Sequence, residues 1–381
     1  MRVNMNHAST SGTKPREVID ALTAFLSGNS HQSAGRGGDE VAAARAALES
    51  RIALAKFFGA ANPVQVIFTS GATESLNMAI YGLTGAGCHA LATSLEHNAV
   101  ARPLRLLERP GRIEVSWLPC GADGSFDPRS IHQAIRPNTR LLVMTHASNV
   151  LGNVLPVAAA FEIAKGYGLF TLLDAAQTAG HIEVKLDKNT DAIAFAGHKG
   201  LRGVAGVGGL ILSAGVAEKM SLWKAGGTGS HSQSLDMPEF LPDRLEPGTP
   251  NLLGIISLGA AVEAIAAAGL ETVRRHEKSL VTRFVTGLRQ LPLILYGDYD
   301  EERWTPVVSL NIPGMDGGLL ARRLSDEFGI ETRSGLHCSP LAHKTIGTFP
   351  QGALRFSLGA ETTAREVDYV LEALAKITAG R

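Results

Sequence analysis

Residues 169–200 read LFTLLDAAQTAGHIEVKLDKNTDAIAFAGHKG. Two apolar runs, LFTLL (169–173) and DAIAFA (191–196), each give way to polar residues and a glycine-bearing turn. Short runs that are apolar on both faces suit strands of a sheet covered by helices on each side. The pattern extends outward. VQVIFT (64–69), CHALAT (88–93), RIEVSWL (112–118), RLLVMT (140–145) and VGGLIL (207–212) also read as strands. Between them, ATESLNMAIYGL sets Ala72, Leu76, Ala79, Ile80 and Leu83 on one helical face. Asp127 and Pro128 open another helix. This alternation predicts a large α/β domain built on a mainly parallel seven-stranded sheet.

Beyond about residue 250 the texture changes. Two helices follow one another directly, at about 251–268 and 269–290. WTPVVSLNIP, a helix near 316–328, the strand-like ALRFSL and a closing helix from about 362 complete a smaller α+β domain. The glycine-rich stretch from Ala225 to Thr249 precedes the change and is suited to reach across a gap or to a second subunit.

The 381 residues are 45% hydrophobic and 19% charged, a globular composition. Thirty-six basic residues balance 36 acidic ones, so net charge gives no footprint for nucleic acid or an anionic membrane. No run approaches a membrane span, and MRVNMNHASTSG lacks the layout of a secretory signal. Three cysteines (Cys88, Cys120 and Cys338) are too few for a disulfide framework and lack the spacing of a zinc site. A cytoplasmic location is the expectation.

Several polar residues stand where ligands of open α/β sheets bind, beyond the carboxyl ends of strands. Lys199 follows such a strand in a glycine-flanked turn. A lysine in a dry pocket can lose its proton and form a Schiff base, although the fragment also reads as an exposed turn lysine. Asp174 ends a wholly apolar run. It either caps the next helix or faces a protonated ring nitrogen. In FTSGATESLN, the helix start at Ala72 and Thr73 offers N–H groups and a hydroxyl to an anion, as any capped helix would. His97 and Asn149 end two further strands, and each also has an ordinary structural reading. Cys338, between glycine and proline in RSGLHCSP, reads as a loop thiol with His337 as a possible helper. Arg355 in ALRFSLG can grip a carboxylate in bidentate fashion or form a surface ion pair.

Taken in order, TSGATESLN, LEHNA, SNVLG, LLDAAQTAGHI, FAGHKG, EPGTPN, RSGLHCSP and LRFSLG span residues 69 to 359. The set resembles the class V aminotransferase family, and within it the group II cysteine desulfurases and their selenocysteine lyase relatives. The resemblance implies the pyridoxal 5'-phosphate-dependent fold type I. A large cofactor-binding domain would cover 14–248, and a small domain would combine 1–13 with 249–381. It also implies a homodimer and a sulfur-acceptor protein. Lys199 would bear the cofactor and move protons, Asp174 would pair with the ring nitrogen, Gln177 would bond the ring oxygen, and His97 would stack on the ring. Ala72, Thr73 and His198 would hold the phosphate, joined by Thr249 of the other subunit. Asn149 would touch cofactor or substrate, Arg355 would bind the substrate carboxylate, and Cys338 would take the sulfur of L-cysteine, leaving L-alanine.

Arg355 follows Cys338 by only 17 positions, the compact spacing of group II. Three departures stand out: Ala196 replaces a usual serine, a second histidine before the His-Cys pair is absent, and MNHAST only loosely matches a usual DNAAT. A C–S lyase releasing pyruvate, a selenocysteine lyase, an aminotransferase and a non-catalytic scaffold are the alternative readings.

Overall fold

The computed structural model describes residues 1–28, 38–299 and 304–380. The chain opens with β1 (Val3–Asn4), α1 (Arg16–Ser27) and α2 (Gly38–Phe58). Next come β2 (Val66–Thr69), α3 (Ala72–Leu83), β3 (Cys88–Thr93), α4 (Asn98–Glu108) and β4 (Ile113–Leu118). They are followed by α5 (Ser130–Ala134), β5 (Thr139–Thr145), α6 (Val157–Gly166), β6 (Phe170–Asp174), β7 (Ala192–Ala196), β8 (Gly208–Leu212) and α7 (Val216–Lys219).

These seven strands, β2 to β8, form one sheet in the order β2-β8-β7-β6-β5-β3-β4. The five from β7 to β4 run parallel to their neighbours, while β8 is antiparallel to both β7 and β2. The reversal has a simple cause. No helix separates β7 from β8, so the chain turns back on itself instead of crossing over. Successive residues feed opposite faces: Ile193 and Phe195 enter one core, Ala192 and Ala194 the other. Burying a side chain such as Phe195 contributes about 1.5–3 kcal/mol. Gly208 permits one close approach, because a Cβ there would fall 2.6 Å from the Cα of Gly71 in the turn before α3.

The later chain holds α8 (Leu252–Ala268), α9 (Leu270–Leu288), β9 (Ile294–Tyr296), β10 (Val307–Asn311), α10 (Gly317–Phe328), β11 (Ile330–Glu331), β12 (Arg333–Gly335), α11 (Pro340–Thr345), β13 (Ala353–Ser357) and α12 (Ala364–Ala379). An antiparallel sheet in the order β12-β13-β10-β9 shares a third core with α9, α10 and α12. The first strand, β1, joins this region through parallel pairing with β11. A division of the chain at residue 249 groups α8 with the smaller sheet. The helix itself buries Ile255, Leu258, Val262 and Ile265 in the core of the large one. Among the described residues no single helix is long and apolar enough to cross a membrane, and α8 and α9 meet at 79°.

Candidate active site

The carboxyl ends of β3, β5, β6 and β7 converge on a cavity of about 200 Å³. Thr73, His97, Asn149, Asp174, Gln177 and Lys199 line it. Ala72, Ala196 and His198 complete the wall near the start of α3. Residues that are scattered over more than a hundred positions in sequence therefore meet because each follows a strand of one sheet.

Lys199 sits in the turn after β7. Burial, opposed by Asp174 and assisted by Arg355 and Arg333, lowers its pKa to about 8. Asp174 closes β6, and its Oδ1 accepts the Ala176 N–H at 2.9 Å. Burial raises its carboxyl above the usual range, with that N–H and Lys199 pulling the other way. His97 caps α4, with Nδ1 accepting from the Ala99 N–H at 3.0 Å. Burial, then Lys199 and the two arginines, push its pKa down to about 4, so its ring is neutral. Beside it stands Glu96, which the sequence reading did not single out. Its Oε1 accepts from the Thr93 hydroxyl and the Thr145 N–H, and burial raises its pKa to about 8.

At the mouth lies the cysteine loop. Cys338 is exposed, and both His337 (φ 50°) and Cys338 (φ 59°) adopt left-handed backbone that is unusual outside glycine. Three contacts pin the loop to the large sheet. Asn98 N–H donates to the Cys338 carbonyl, Asn149 Nδ2 donates to the His337 carbonyl, and the Ser339 hydroxyl donates to Asn149 Oδ1. Asn149 thus lines the cavity while its amide holds the loop. The His337 ring makes no hydrogen bond to the thiol among the described residues. It turns inward, with Nε2 3.1 Å from the Arg333 carbonyl and Nδ1 3.4 Å from His343 Nε2.

Arg355 is buried on β13, directly opposite Arg333 on β12. Like charges facing each other across strands normally destabilise a sheet. Here Arg355 donates to the Asn149 carbonyl and to Asn6 and Ser9, while Arg333 also donates to Ser9. Neither is ion-paired among the described residues, and Arg355 Nε has no partner. An anion, not another side chain, is the partner this geometry suits. Arg333 Nη2 also lies 4.0 Å from Cys338 Sγ. The sequence reading missed Arg333 because only the strand register reveals it. Thr249 is exposed and outside the cavity.

A buried lysine, an acid closing the neighbouring strand and a helix start around one cavity define an enzyme of the fold type I class. The chain belongs to the aminotransferase class-V family, whose model matches residues 3–370. A cysteine desulfurase of Pectobacterium atrosepticum is 33% identical, over 97% of this chain and 92% of its own length. A probable cysteine desulfurase of Methanothermobacter thermautotrophicus is 32% identical, over 98% of this chain and 94% of its own. The apo structure of a cysteine desulfurase from Thermococcus onnurineus matches with a TM-score of 0.93 at 29% identity, covering 100% of this chain and 95% of that one.

The family's cofactor is pyridoxal phosphate, and the residues present fit it. Asp174 is a buried carboxyl held up by burial, for which a ring cation would compensate. Gly71 (φ 152°) leaves open space at the start of α3, where N–H groups face outward, and His198 Nδ1 is buried without a partner.

Proposed function

We propose that this chain is a pyridoxal-phosphate-dependent cysteine desulfurase that converts L-cysteine to L-alanine and retains the sulfur on Cys338. The observation that carries the reading is the exposed Cys338 thiol, pinned beside two facing arginines at the mouth of the Lys199 cavity.

Lys199, Asp174, Gln177 and His97 would hold the cofactor ring, and Ala72, Thr73 and His198 its phosphate. When bound, the cofactor supplies an electron sink that makes the substrate's Cα–H acidic. Arg355 fixes the substrate carboxylate through charge-assisted hydrogen bonds worth about 1.5–3 kcal/mol each. Lys199, whose pKa is lowered to about 8 so that a fraction of neutral amine persists near neutral pH, accepts the Cα proton. The Cys338 sulfur, 4.0 Å from Arg333 Nη2, attacks the substrate sulfur. The C–S bond breaks and an S–S bond forms. Both sulfurs are oxidised to the persulfide level, and the β-carbon is reduced by gaining a C–H bond. The thiol proton of Cys338 balances that gain, so L-cysteine plus Cys338–SH gives L-alanine plus Cys338–S–SH.

Exposure of Cys338 opens the persulfide to a reductant or an acceptor protein. Thr249, exposed and away from the cavity, is suited to complete the phosphate site of a second copy, so the reading includes a homodimer. Three free cysteines suit a reducing cytoplasm.

The test is product analysis with L-cysteine and a thiol reductant, comparing wild type with Cys338→Ala. Alanine and sulfide from the wild type, lost in the variant, are expected. Pyruvate and ammonia from both proteins would sink the proposal and make the chain a C–S lyase.

A further inference from the structure

Behind Lys199, on the side of the turn that the desulfurase reading leaves unused, lies a second and much smaller cavity. It measures about 10 Å³, room for about one water. Lys199, Gly200, His181, Glu277, His7 and Glu361 border it. These residues come from the β6 and β7 turns, the N-terminal segment, α9 and the loop after β13. They share one boundary because the two sheets meet there.

The inner wall is built tightly. His181 Nδ1 lies 2.9 and 3.0 Å from the two carboxylate oxygens of Glu277 on α9. Its opposite edge rests on the residue after Lys199, since a Cβ on Gly200 would fall 2.6 Å from His181 Cδ2 and Nε2. Gly180 is equally constrained, as its Cβ would fall 2.3 Å from the Gly200 carbonyl. The imidazole is therefore clamped between a carboxylate and the backbone that carries the lysine. Burial opposes its protonation, but Glu277 and then Glu361 outweigh that and raise its pKa.

The outer wall is open in the chemical sense. Both oxygens of Glu361 are sheltered and lack hydrogen-bond partners, with His7 Nδ1 at 3.6 Å and Arg202 Nη2 at 3.7 Å. Its side chain nonetheless retains 28% exposure, carried by the stem, so the sheltered carboxylate borders the cavity and lies one side-chain rotation from solvent. His7 is engaged elsewhere: Nδ1 accepts from the Gly12 N–H and Nε2 donates to the Asn4 carbonyl. Lys14 nearby donates to Ser11. That leaves His181 with Glu277, and Glu361, as the groups able to pass a proton.

We propose that His181, Glu277 and Glu361, with a water in this cavity, form a back exit by which the proton taken up by Lys199 exchanges with solvent. The inference rests on the desulfurase reading, in which Lys199 removes the substrate's Cα hydrogen. Chemically the exit moves protons only. Lys199 ammonium gives one to the water or His181, Glu361 releases one to solvent as its side chain rotates outward, and the reverse path restores it. No electron is transferred and the overall stoichiometry is unchanged. His181 and Glu277 are positioning and relay groups, because they border the lysine turn and not the substrate cavity.

The experiment follows a hydrogen label. L-cysteine deuterated at Cα is converted by the cofactor-loaded enzyme in ordinary water, and deuterium in the product alanine is measured by mass spectrometry. Wild type is expected to give alanine nearly free of deuterium, because the label escapes from Lys199 between removal and return. Glu277→Gln and, at the partly exposed end, Glu361→Gln should each retain label several-fold above wild type, even where turnover changes little. NMR titration of His181 in the Glu277→Gln protein should shift to lower pH, since the group that raises its pKa is gone. Equal washout in wild type and both variants, or retention already in wild type, would overturn the proposal. Absence of any alanine from wild type would instead overturn the desulfurase reading, and the exit with it.

Discussion

At Lys199 two effects compete, and their sizes decide the chemistry. Burial and two arginines disfavour the ammonium while Asp174 favours it, and the balance brings the pKa from 10.5 down to about 8. The neutral amine therefore dominates above about pH 8 and declines about tenfold per pH unit below it. Capture of pyridoxal phosphate by cofactor-free protein, followed by the growth of absorbance, is expected to accelerate with pH and level off near that value. Acceleration continuing toward 10.5 would mean that the surroundings leave the lysine unperturbed. The strand-end positions of Lys199, Asp174 and His97 were legible in the sequence because each follows an apolar run, whereas their roles came from the family resemblance alone. Arg333 and Glu277 were not legible. The first matters through its register against Arg355, and the second reaches His181 across 96 positions of chain. Neither relation leaves a local mark.

Among the elements, the cysteine loop shows how a short segment holds an uncommon backbone. Left-handed His337 and Cys338 are sustained by hydrogen bonds to Asn98 and Asn149 and by the inward stacking of His337 near His343. Asn149→Ala removes two of those bonds, each worth about 1 kcal/mol. Alkylation of Cys338 by iodoacetamide is expected to become several-fold faster in that variant. An unchanged rate would show that the loop is held by other contacts. The 17-position step from Cys338 to Arg355 already signalled a compact loop. The orientation of the His337 ring did not follow from them, because alternation of neighbouring side chains fails where the backbone turns left-handed. The strands of the large sheet were similarly legible in extent. Their spatial order, and the reversal of β8, depend on connections that apolar runs do not encode.

Across the whole molecule, the N-terminal segment fastens the smaller sheet to the site. Residues near β1 pair with β11, Asn6 bridges to Ser357, and the Ala8 carbonyl accepts from Gln177. Farther along, the Ser11 N–H reaches the His198 carbonyl, one residue from Lys199. This is where the loosely matching MNHAST acquires meaning, since Asn6 and Ser9 are the side chains that touch Arg355. A consequence extends to the facing pair Arg333 and Arg355. The sheet β12-β13-β10-β9 carries a facing pair of like charges without an ion pair among the described residues, so a small acid that enters between them relieves a repulsion built into the fold. Carboxylate ligands should therefore act as structural keystones as well as reactants. L-alanine is expected to raise the unfolding temperature of wild type, and Arg333→Gln to begin from a higher baseline with a smaller rise, both read by calorimetry. A protein built this way is sturdiest while it is working and most fragile when starved, so amino-acid supply would govern its lifetime as well as its turnover.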